Sequence, residues 1–222
     1  MERQEESVSF AGLSLGEFIE RLSSAEPVPG GGAASAVAAA LGASLASMVS
    51  ALSTGRPKYA AYEATLERAG STGRRLAGEL LALADRDAAA YGGYAAALKM
   101  PRETDEQVEA RRTAIRAAAR AASDAPWEIV VACHDLAVEV EALAGRSNVN
   151  AASDVLVAAL LAEAGARGAA ENVRINLPST GDERYAEEMD QKLDDKLHEI
   201  SALAAQTREI VLSGQVRQPE AR

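Results

Sequence analysis

Hydrophobic residues recur every three or four positions along most of this chain of 222 residues, and apolar residues rarely alternate with polar ones. Such spacing places apolar side chains on one face of a helix, whereas a half-buried strand requires a period of two. Prolines, glycines and capping residues divide the pattern into a short segment after Ser14 and then residues 33–53, 58–99, 103–122, 123–144, 151–170 and 180–214. The pattern predicts an all-α fold, a single-domain helical bundle of about seven helices, several of them long.

Two helix starts carry specific expectations. Ser14 followed by Glu17 is the capping-box pattern. The helix after it is expected to turn four apolar side chains inward: Leu15, Phe18, Ile19 and Leu22. Further along, Pro126 follows the cap-like pair Ser123-Asp124, and because proline is favoured in the first turn of a helix, we expect a new helix to begin there.

No internal repeat, low-complexity linker or change of composition divides the chain. We therefore expect one helical domain over residues 13–214, an N-terminal tail at residues 1–12 and a C-terminal tail at residues 215–222. The polar tail after Gly214 is expected to fray. Helix faces of small residues, together with the one apolar side of the last helix, favour a homodimer.

The formal net charge is −10 and no basic run occurs, which argues against a nucleic-acid partner because phosphate binding requires clustered Lys and Arg. Residues 1–8 carry three Glu and one Arg, unlike a secretion signal. The lone Cys133 excludes an intrachain disulfide and fits a reducing, cytoplasmic location. Together with His134 and His198 it offers too few ligands for zinc, so we expect no metal.

One segment requires a membrane test. The 29 residues from Pro27 to Gly55 carry no charge, and this length would span a bilayer. Most of them are Ala, Gly and Ser, however, which drive membrane insertion far less than Leu and Val do. A central helix buried among other helices explains the segment better, and we expect no membrane partner.

Two polar constellations interrupt the apolar background in the first half of the chain. Pro29-Gly30-Gly31-Gly32 stands before a helix, where free backbone N–H groups can bind an anion or a carbonyl oxygen. A flexible turn between helices also requires glycine, so both interpretations stay open. Asp87 is flanked by alanines and Tyr91, and apolar surroundings would raise the pKa of its carboxyl and suit a general acid or base. A solvated helix face is the alternative for Asp87.

The third constellation is the densest, because five polar side chains fall within residues 147–154: Ser147, Asn148, Asn150, Ser153 and Asp154. Helix capping explains one or two of them and leaves the others free for a ligand. Downstream, Asn172, Arg174 and Asn176 follow the same helical segment. Amides and a guanidinium could hydrogen-bond to a flat, heteroatom-rich ring and attract a carboxylate.

Three segments containing these constellations resemble, in order, the cyclodeaminase/cyclohydrolase family: PGGGAASAVAAALGASLASMV, DRDAAAYGGYAAALKMP and SNVNAASDVLVAALLAEAGARGAAENVRINL. That family includes the C-terminal domain of formiminotransferase-cyclodeaminase and stand-alone methenyltetrahydrofolate cyclohydrolases. The resemblance covers Leu13 to Ser213 and implies an all-helical homodimer with a tetrahydrofolate cleft and no metal or cofactor beyond the substrate. Many members have Ser where this chain has Ala33, so that hydroxyl is absent here or is supplied by Ser35.

On this resemblance and the chemistry above, we assign substrate-binding groups to the glycine loop and to polar side chains of four later segments: Pro29, Gly30, Gly31, Gly32, Lys58, Tyr91, Asn148, Asn150, Ser153, Arg174 and Asn176. Asp87 is the expected general acid/base, with Asp154 the second choice. Arg174 or Lys58 is expected to meet the glutamate tail of the substrate.

The expected reaction is hydrolysis of 5,10-methenyltetrahydrofolate to 10-formyltetrahydrofolate, in which water adds to the carbon that bridges N5 and N10. The same family's other reaction closes 5-formiminotetrahydrofolate with loss of ammonia, and no transferase domain precedes the match, so the cyclohydrolase reaction is favoured. A non-catalytic folate-binding helical dimer, and a structural dimer whose polar loops are only caps, are the alternatives to an enzyme.

Overall fold

The computed structural model describes residues 9–219 and folds them into six α-helices joined by short turns. The helices are α1 (Leu15–Leu22), α2 (Gly31–Ala51), α3 (Glu63–Leu98), α4 (Asp105–Leu143), α5 (Ala152–Asn176) and α6 (Glu183–Ser213). Short 3₁₀ helices span Phe10–Gly12, Pro57–Tyr62, Val149–Ala151 and Leu177–Thr180. Residues 9–219 contain no strand, and the all-α prediction is confirmed.

Helices α2 to α5 form an antiparallel four-helix bundle, in which each packs along the next in chain order and α5 returns beside α2. Helix α6 packs against both α4 and α5. Small residues bring the backbones close: a Cβ on Gly42 would lie 3.1 Å from the carbonyl oxygen of Ala158, and one on Gly73 would lie 2.7 Å from that of Ala43. The close packing that the small residues of α2 predict is therefore confirmed.

The predicted break at Pro126 is wrong, because α4 runs without interruption from Asp105 to Leu143. Its N-cap is Thr104, whose side chain accepts a hydrogen bond from the backbone N–H of Gln107. A proline inside a helix removes one backbone hydrogen bond, but the residues around this one are buried in the core, which keeps the helix continuous. The union of two predicted helices explains why residues 9–219 contain six helices rather than seven.

The first helix is anchored more weakly than the sequence predicts. Its capping box between Ser14 and Glu17 is confirmed. Of the four apolar side chains expected to turn inward, only Phe18 is buried, where its ring meets that of Phe10 edge to face. The other three are exposed: Leu15, Ile19 and Leu22.

The C-terminal segment is docked rather than frayed as far as the structure describes it. The backbone N–H of Arg217 donates to the carbonyl oxygen of Gly145 at 3.1 Å, and its guanidinium pairs with Glu141 at 2.7 Å. The hydroxyl of Tyr62 donates to the carbonyl oxygen of Arg217 at 2.9 Å. The expectation of fraying is wrong for residues 215–218, while residues 1–8 and 220–222 of the predicted tails lie outside the described residues.

Two helical stretches, Gly31–Ala51 and Val149–Thr180, are long and apolar enough to cross a membrane when judged by length and composition only. Half of the most apolar window of the first is buried inside the protein, and 39% of that of the second. Core helices of soluble proteins meet the same criterion, so it is weak evidence for a membrane span.

Candidate active site

A cleft of about 350 Å³ opens where the amino-terminal end of α2 meets α3 and the carboxyl-terminal end of α5. It brings together six residues that the sequence assigns to the site: Gly30, Gly31, Gly32, Asp87, Tyr91 and Asn176. Asn172 of the same sequence motif also lines it. The volume is near the lower end of the roughly 300–1,000 Å³ typical of small-molecule sites.

Asp87 is the one charged side chain among the described residues that line this cleft. Its carboxylate lies against the first turn of α2 and accepts a hydrogen bond from the backbone N–H of Ala33. Burial raises the pKa of the Asp87 carboxyl, and the hydrogen bond from Ala33 offsets only part of that rise. A carboxyl in this state exchanges protons more readily near neutral pH than an exposed aspartate does, which suits a general acid or base.

Gly32 is the member of the glycine loop that this arrangement requires. A Cβ at position 32 would overlap the carboxylate of Asp87, with the Asp87 Cγ only 2.6 Å away. At Gly30 and Gly31 a Cβ would make ordinary contacts, 3.4 Å from the nearest atom in each case. The glycine at position 32 therefore permits the close approach of Asp87 to the end of α2.

The amide of Asn176 has a fixed orientation. Its Nδ2 donates to the carbonyl oxygens of Ala122 at 3.0 Å and Asn172 at 2.9 Å. Because both partners are carbonyl oxygens, the nitrogen must face them, and both amide hydrogens are used. Its Oδ1 then remains to accept a hydrogen bond from a ligand. Asn172 donates from Nδ2 to the carbonyl oxygen of Gly168 at 2.8 Å and keeps a second N–H and its own Oδ1.

Two tyrosines of α3 form one wall of the cleft. Tyr91 and Tyr94 follow Asp87 by one and two helical turns, so all three side chains lie on one side of α3. The hydroxyl of Tyr94 is 3.0 Å from the Oγ of Ser179. Tyr94 is a cleft residue that the sequence analysis missed, and its spacing of seven residues from Asp87 was the available signal.

Lys58 and Asn148 lie in a different place, around a second cavity of about 160 Å³ at the carboxyl-terminal end of α2. Asn148 is buried there: its backbone N–H donates to Ser53 Oγ at 2.8 Å and its Nδ2 to the Leu52 carbonyl oxygen at 3.3 Å. Its Oδ1 accepts from the backbone N–H of Asn150 at 3.1 Å. In this chain Asn148 ties the loop before α5 to the end of α2, which is a structural role.

The remaining members of the third constellation also lie far from Asp87 within one chain. Asn150 and Ser153 are exposed and Asp154 is half-buried, all at the amino-terminal end of α5. At about 1.5 Å per residue, the helix separates Asp154 from Asn172 by about 27 Å. The structure therefore divides the predicted site residues into one group at each end of the α2–α5 pair.

Arg174 turns away from the cleft. Its guanidinium pairs with Glu171 at 2.9 Å, Asp190 at 2.7 Å and Asp194 at 2.6 Å. The hydrogen bond to Asp190 contributes most to raising the pKa of Arg174 above its ordinary value. With three carboxylates around it, the side chain fastens α5 to α6, and the structure does not offer it to a substrate carboxylate.

Two further assignments fall behind the cleft wall. Pro29 is buried beneath the glycine loop. Ser35 donates to the carbonyl oxygen of Gly31 at 2.7 Å and faces Gly168 of α5, so it does not supply a hydroxyl to the cleft. The hydroxyl that many family members carry at position 33 is therefore absent from this cleft.

A helical bundle with one cleft carboxyl, two amides and an aromatic wall has the features of a small-molecule site that can support acid–base chemistry. Residues 14–195 match the family described as Formiminotransferase-cyclodeaminase, and the chain belongs to that family.

Relatives of this chain divide between the two activities of this family. The methenyltetrahydrofolate cyclohydrolase of Methylorubrum extorquens is 36% identical over 196 residues, which cover 88% of this chain and 94% of that protein. The formimidoyltransferase-cyclodeaminase of Gallus gallus is 32% identical over 83% of this chain, which spans about a third (34%) of that protein. The crystal structure of formiminotetrahydrofolate cyclodeaminase from Thermotoga maritima superposes with a TM-score of 0.83 at 28% identity, covering 91% of this chain and 98% of that one.

Proposed function

We propose that this protein hydrolyses 5,10-methenyltetrahydrofolate to 10-formyltetrahydrofolate. The observation that carries the proposal is the half-buried Asp87, held against the start of α2 in a cleft with two amides and two tyrosines. The 36% identity to a methenyltetrahydrofolate cyclohydrolase, against 32% and 28% to the two cyclodeaminases, supports this reaction over the other of the family.

In the first step, Asp87 takes a proton from water as the water oxygen attacks the carbon that bridges N5 and N10. The cationic methenyl bridge becomes a neutral carbinol. The bond from this carbon to N5 then breaks, the hydroxyl proton leaves to solvent, and N5 receives the proton held by Asp87. The formyl group remains on N10, and one proton is released overall.

The cleft also suits the charge and shape of this substrate. The methenyl bridge is positively charged, and among the described residues the cleft contains no Lys or Arg to repel it. The Oδ1 of Asn176 accepts an N–H of the pterin, while Asn172 offers both a donor and an acceptor. Tyr91 and Tyr94 provide aromatic surface for the pterin or the aminobenzoyl ring.

The test is direct, because methenyltetrahydrofolate absorbs light and its hydrolysis product does not share that band. We expect purified protein to accelerate the loss of absorbance in a saturable way. The second candidate, supported by the likeness to the Thermotoga maritima cyclodeaminase, is ring closure of 5-formiminotetrahydrofolate. Ammonia release from that compound, without acceleration of methenyl hydrolysis, would favour the second reaction. Binding of reduced folate without either turnover would leave a non-catalytic folate-binding protein.

We also propose that the protein is a homodimer, formed through the outer sides of α2 and α5. These helices lie side by side, and their outer stripes carry large exposed apolar residues: Leu41, Met48, Leu52, Val157 and Leu160. With a length of about 30 Å and a width of about 20 Å for two helices, the face covers on the order of 600 Å² per protomer. That is close to the ~800 Å² per partner of a standard interface and large for an exposed apolar patch on a monomer.

The charges at the two ends of this face favour a second copy as its partner. Arg56 and Lys58 follow the carboxyl-terminal end of α2, and Glu26 precedes its amino-terminal end. A two-fold axis across the middle of the face makes the two α2 helices antiparallel and places the basic end of each protomer beside the acidic end of the other. The same symmetry turns Asn150 and Asp154 of a second copy toward the cleft of the first.

A charged substitution on this face tests the dimer. We expect Leu41→Glu to yield monomers, because two buried carboxylates would face each other near the two-fold axis. Sedimentation equilibrium measures the mass. Leu98→Glu is the matched control, since Leu98 is similarly exposed (45% against 53%) but ends α3, away from the α2–α5 face. A wild-type protein that is monomeric at all concentrations would exclude the dimer.

Turnover in this scheme requires no metal and no cofactor beyond the folate, because Asp87 and water supply every proton. Dialysis against EDTA is therefore expected to leave the rate of methenyl hydrolysis unchanged. We further place the enzyme in the cytoplasm, with neither nucleic acid nor membrane as a partner. The buried free thiol of Cys133, whose pKa burial raises to about 12, is compatible with that location.

A further inference from the structure

We propose that Pro126 is a positioning residue for Asn176. It leaves one carbonyl oxygen of α4 without a helical partner, and that oxygen holds the side chain of Asn176 in place. The inference rests on the proposed function only for the identity of the substrate. The positioning itself follows from the backbone of α4 and the side chain of Asn176.

The carbonyl oxygen in question belongs to Ala122. Inside an α-helix each carbonyl accepts from the backbone N–H four residues later, and the residue four positions after Ala122 is Pro126, which has no N–H. Ala122 is only 7% exposed, so its carbonyl oxygen has limited access to water. A buried carbonyl without a donor costs free energy, so some other donor must reach it.

That donor is the side chain of Asn176, which lies on the neighbouring helix α5. Its Nδ2 lies 3.0 Å from the Ala122 carbonyl oxygen, and its second hydrogen goes to the carbonyl oxygen of Asn172. Ala122 and Asn176 both line the cleft that contains Asp87. The proline thus creates an acceptor at the cleft wall, and the asparagine that fills it becomes immobile.

The consequence concerns which chemical groups the cleft recognises. With both amide hydrogens used, Asn176 presents only Oδ1 to a ligand, and that oxygen accepts hydrogen bonds and donates none. The cleft therefore selects a ligand with an N–H group at this position and disfavours one that offers a lone pair there. A reduced pterin, with its ring N–H and amino groups, supplies such donors.

Pro126→Ala is the substitution that tests this role, because it restores a backbone N–H that can donate to Ala122 and displace Asn176. We expect the unfolding temperature to rise by about 2–6 °C, since an interior proline is removed from α4. We expect kcat/KM for methenyltetrahydrofolate to fall about 3- to 10-fold, mostly through KM, since Asn176 loses its anchor. If Pro126 had only a structural role, its replacement would not raise the unfolding temperature and KM together.

Gly78→Ala is the matched control for general stiffening of the bundle. Gly78 lies on α3, and a Cβ added there meets nothing within 4 Å. Like the proline replacement it is expected to raise the unfolding temperature, but to leave KM unchanged. An equal rise of KM in Gly78→Ala would assign the effect to stiffening and overturn the proposal.

A double-mutant cycle separates the positioning from the identity of the substrate. In the wild type, Asn176→Ala leaves the Ala122 carbonyl without a donor and lowers the unfolding temperature; in the Pro126→Ala background, the helix supplies that donor and the drop is smaller. Additive changes in unfolding temperature would overturn the proposal, whatever the substrate is. Coupled changes in a protein that turns over no tetrahydrofolate would support the positioning of Asn176 and overturn the proposed function instead.

Discussion

The two ends of the α2–α5 helix pair are both rich in asparagine, yet Asn176 at one end keeps an acceptor for a ligand and Asn148 at the other does not. At the cleft end, Asn176 retains its Oδ1 and Asp87 accepts a single backbone N–H. At the opposite end, Asn148 uses its backbone N–H, its Nδ2 and its Oδ1 within the chain. The hydroxyl of Tyr59 there accepts from the backbone N–H of Val149 at 3.2 Å.

This difference shows that the number of polar residues in a motif does not identify a site. The run from Ser147 to Asp154 is the densest of the three polar constellations, and Asn148 within it is a structural tie within the single chain. The cleft is made from sparser motifs whose hydrogen-bonding capacity is only partly used. Hydrogen-bonding capacity left over after folding is what distinguishes Asn176 at the cleft from Asn148 at the opposite end.

The largest expected effect is that of Asp87→Asn at the cleft end. Removing the general acid/base should lower kcat for methenyltetrahydrofolate about 10²- to 10⁴-fold, because a positioned proton-transfer group contributes roughly that much. Loss of the methenyl absorbance measures the rate. A variant within tenfold of the wild type would exclude Asp87 as the acid/base.

The pH dependence of the same residue gives a second measurement. Because burial raises the pKa of Asp87, the carboxylate needed as a base is lost on acidification at a pH above the ordinary value of about 3.9. The acid limb of kcat/KM should lie above that value.

The raised pKa also means that Asp87 contributes stability at low pH that is lost as the pH rises through its folded-state pKa. Asp87→Asn should therefore unfold at a higher temperature than the wild type at pH 7, and not below about pH 4. Thermal unfolding at both pH values tests the sign.

Gly32→Ala should produce the next largest effect. The added Cβ overlaps the Asp87 carboxylate, and a displacement of about 1 Å in a catalytic group can cost on the order of 10² in rate. We expect kcat to fall by about that factor while the far-ultraviolet circular dichroism stays helical. If kcat is retained, the carboxylate can act from another position, and the tight approach to α2 is not needed.

Asn148→Ala tests the opposite end, where stability is the expected readout. Both side-chain hydrogen bonds of this residue are lost, and leaving the Leu52 carbonyl oxygen and the Asn150 N–H without their partner should cost about 1–3 kcal/mol of unfolding free energy. Urea unfolding measures the loss. Two results together would contradict the contrast between the two ends. Asn148→Ala would be as stable as an ordinary surface variant, and its kcat/KM would be as low as that of Asn176→Ala.

The smallest effect is expected from Gly92→Ala, one turn beyond Asp87 on α3. A Cβ at position 92 meets nothing within 4 Å, so the substitution should stabilise the helix by about 0.5–1 kcal/mol. Together with Gly32→Ala it forms a matched pair of glycine replacements near one carboxylate. Destabilisation by Gly92→Ala would show that α3 is less open at this turn than the structure indicates.

Much of the fold followed from local sequence signals, since helix propensity, capping and apolar spacing act over a few residues. The capping box at Ser14 and the continuous α2 were predicted on that basis and are confirmed. The continuation of α4 through Pro126 could not be predicted locally, because it depends on burial against helices distant in sequence. The exposure of α1 has the same origin, since its apolar side finds little of the bundle to cover it.

The meeting of the glycine loop, Asp87 and Asn176 in one cleft agrees with the sequence analysis. The separation of Lys58 and Asp154 from that cleft was not foreseen, because residue types do not reveal which ends of two antiparallel helices adjoin. Arg174 shows a further limit: the acids that engage it come 16 and 20 residues later, on α6. The roles of Lys58, Asp154 and Arg174 at the site stay predictions.

The returning C-terminal segment has a practical consequence for anyone who expresses this protein. Arg217 and Gln218 clip the chain end onto the region just before α5, where Arg217 meets Glu141 and Arg146 donates to the Gln218 carbonyl oxygen at 2.8 Å. A purification tag fused directly after these residues would disturb their contacts, and truncation after Gly214 would remove them. A tag at the N-terminus leaves these contacts intact.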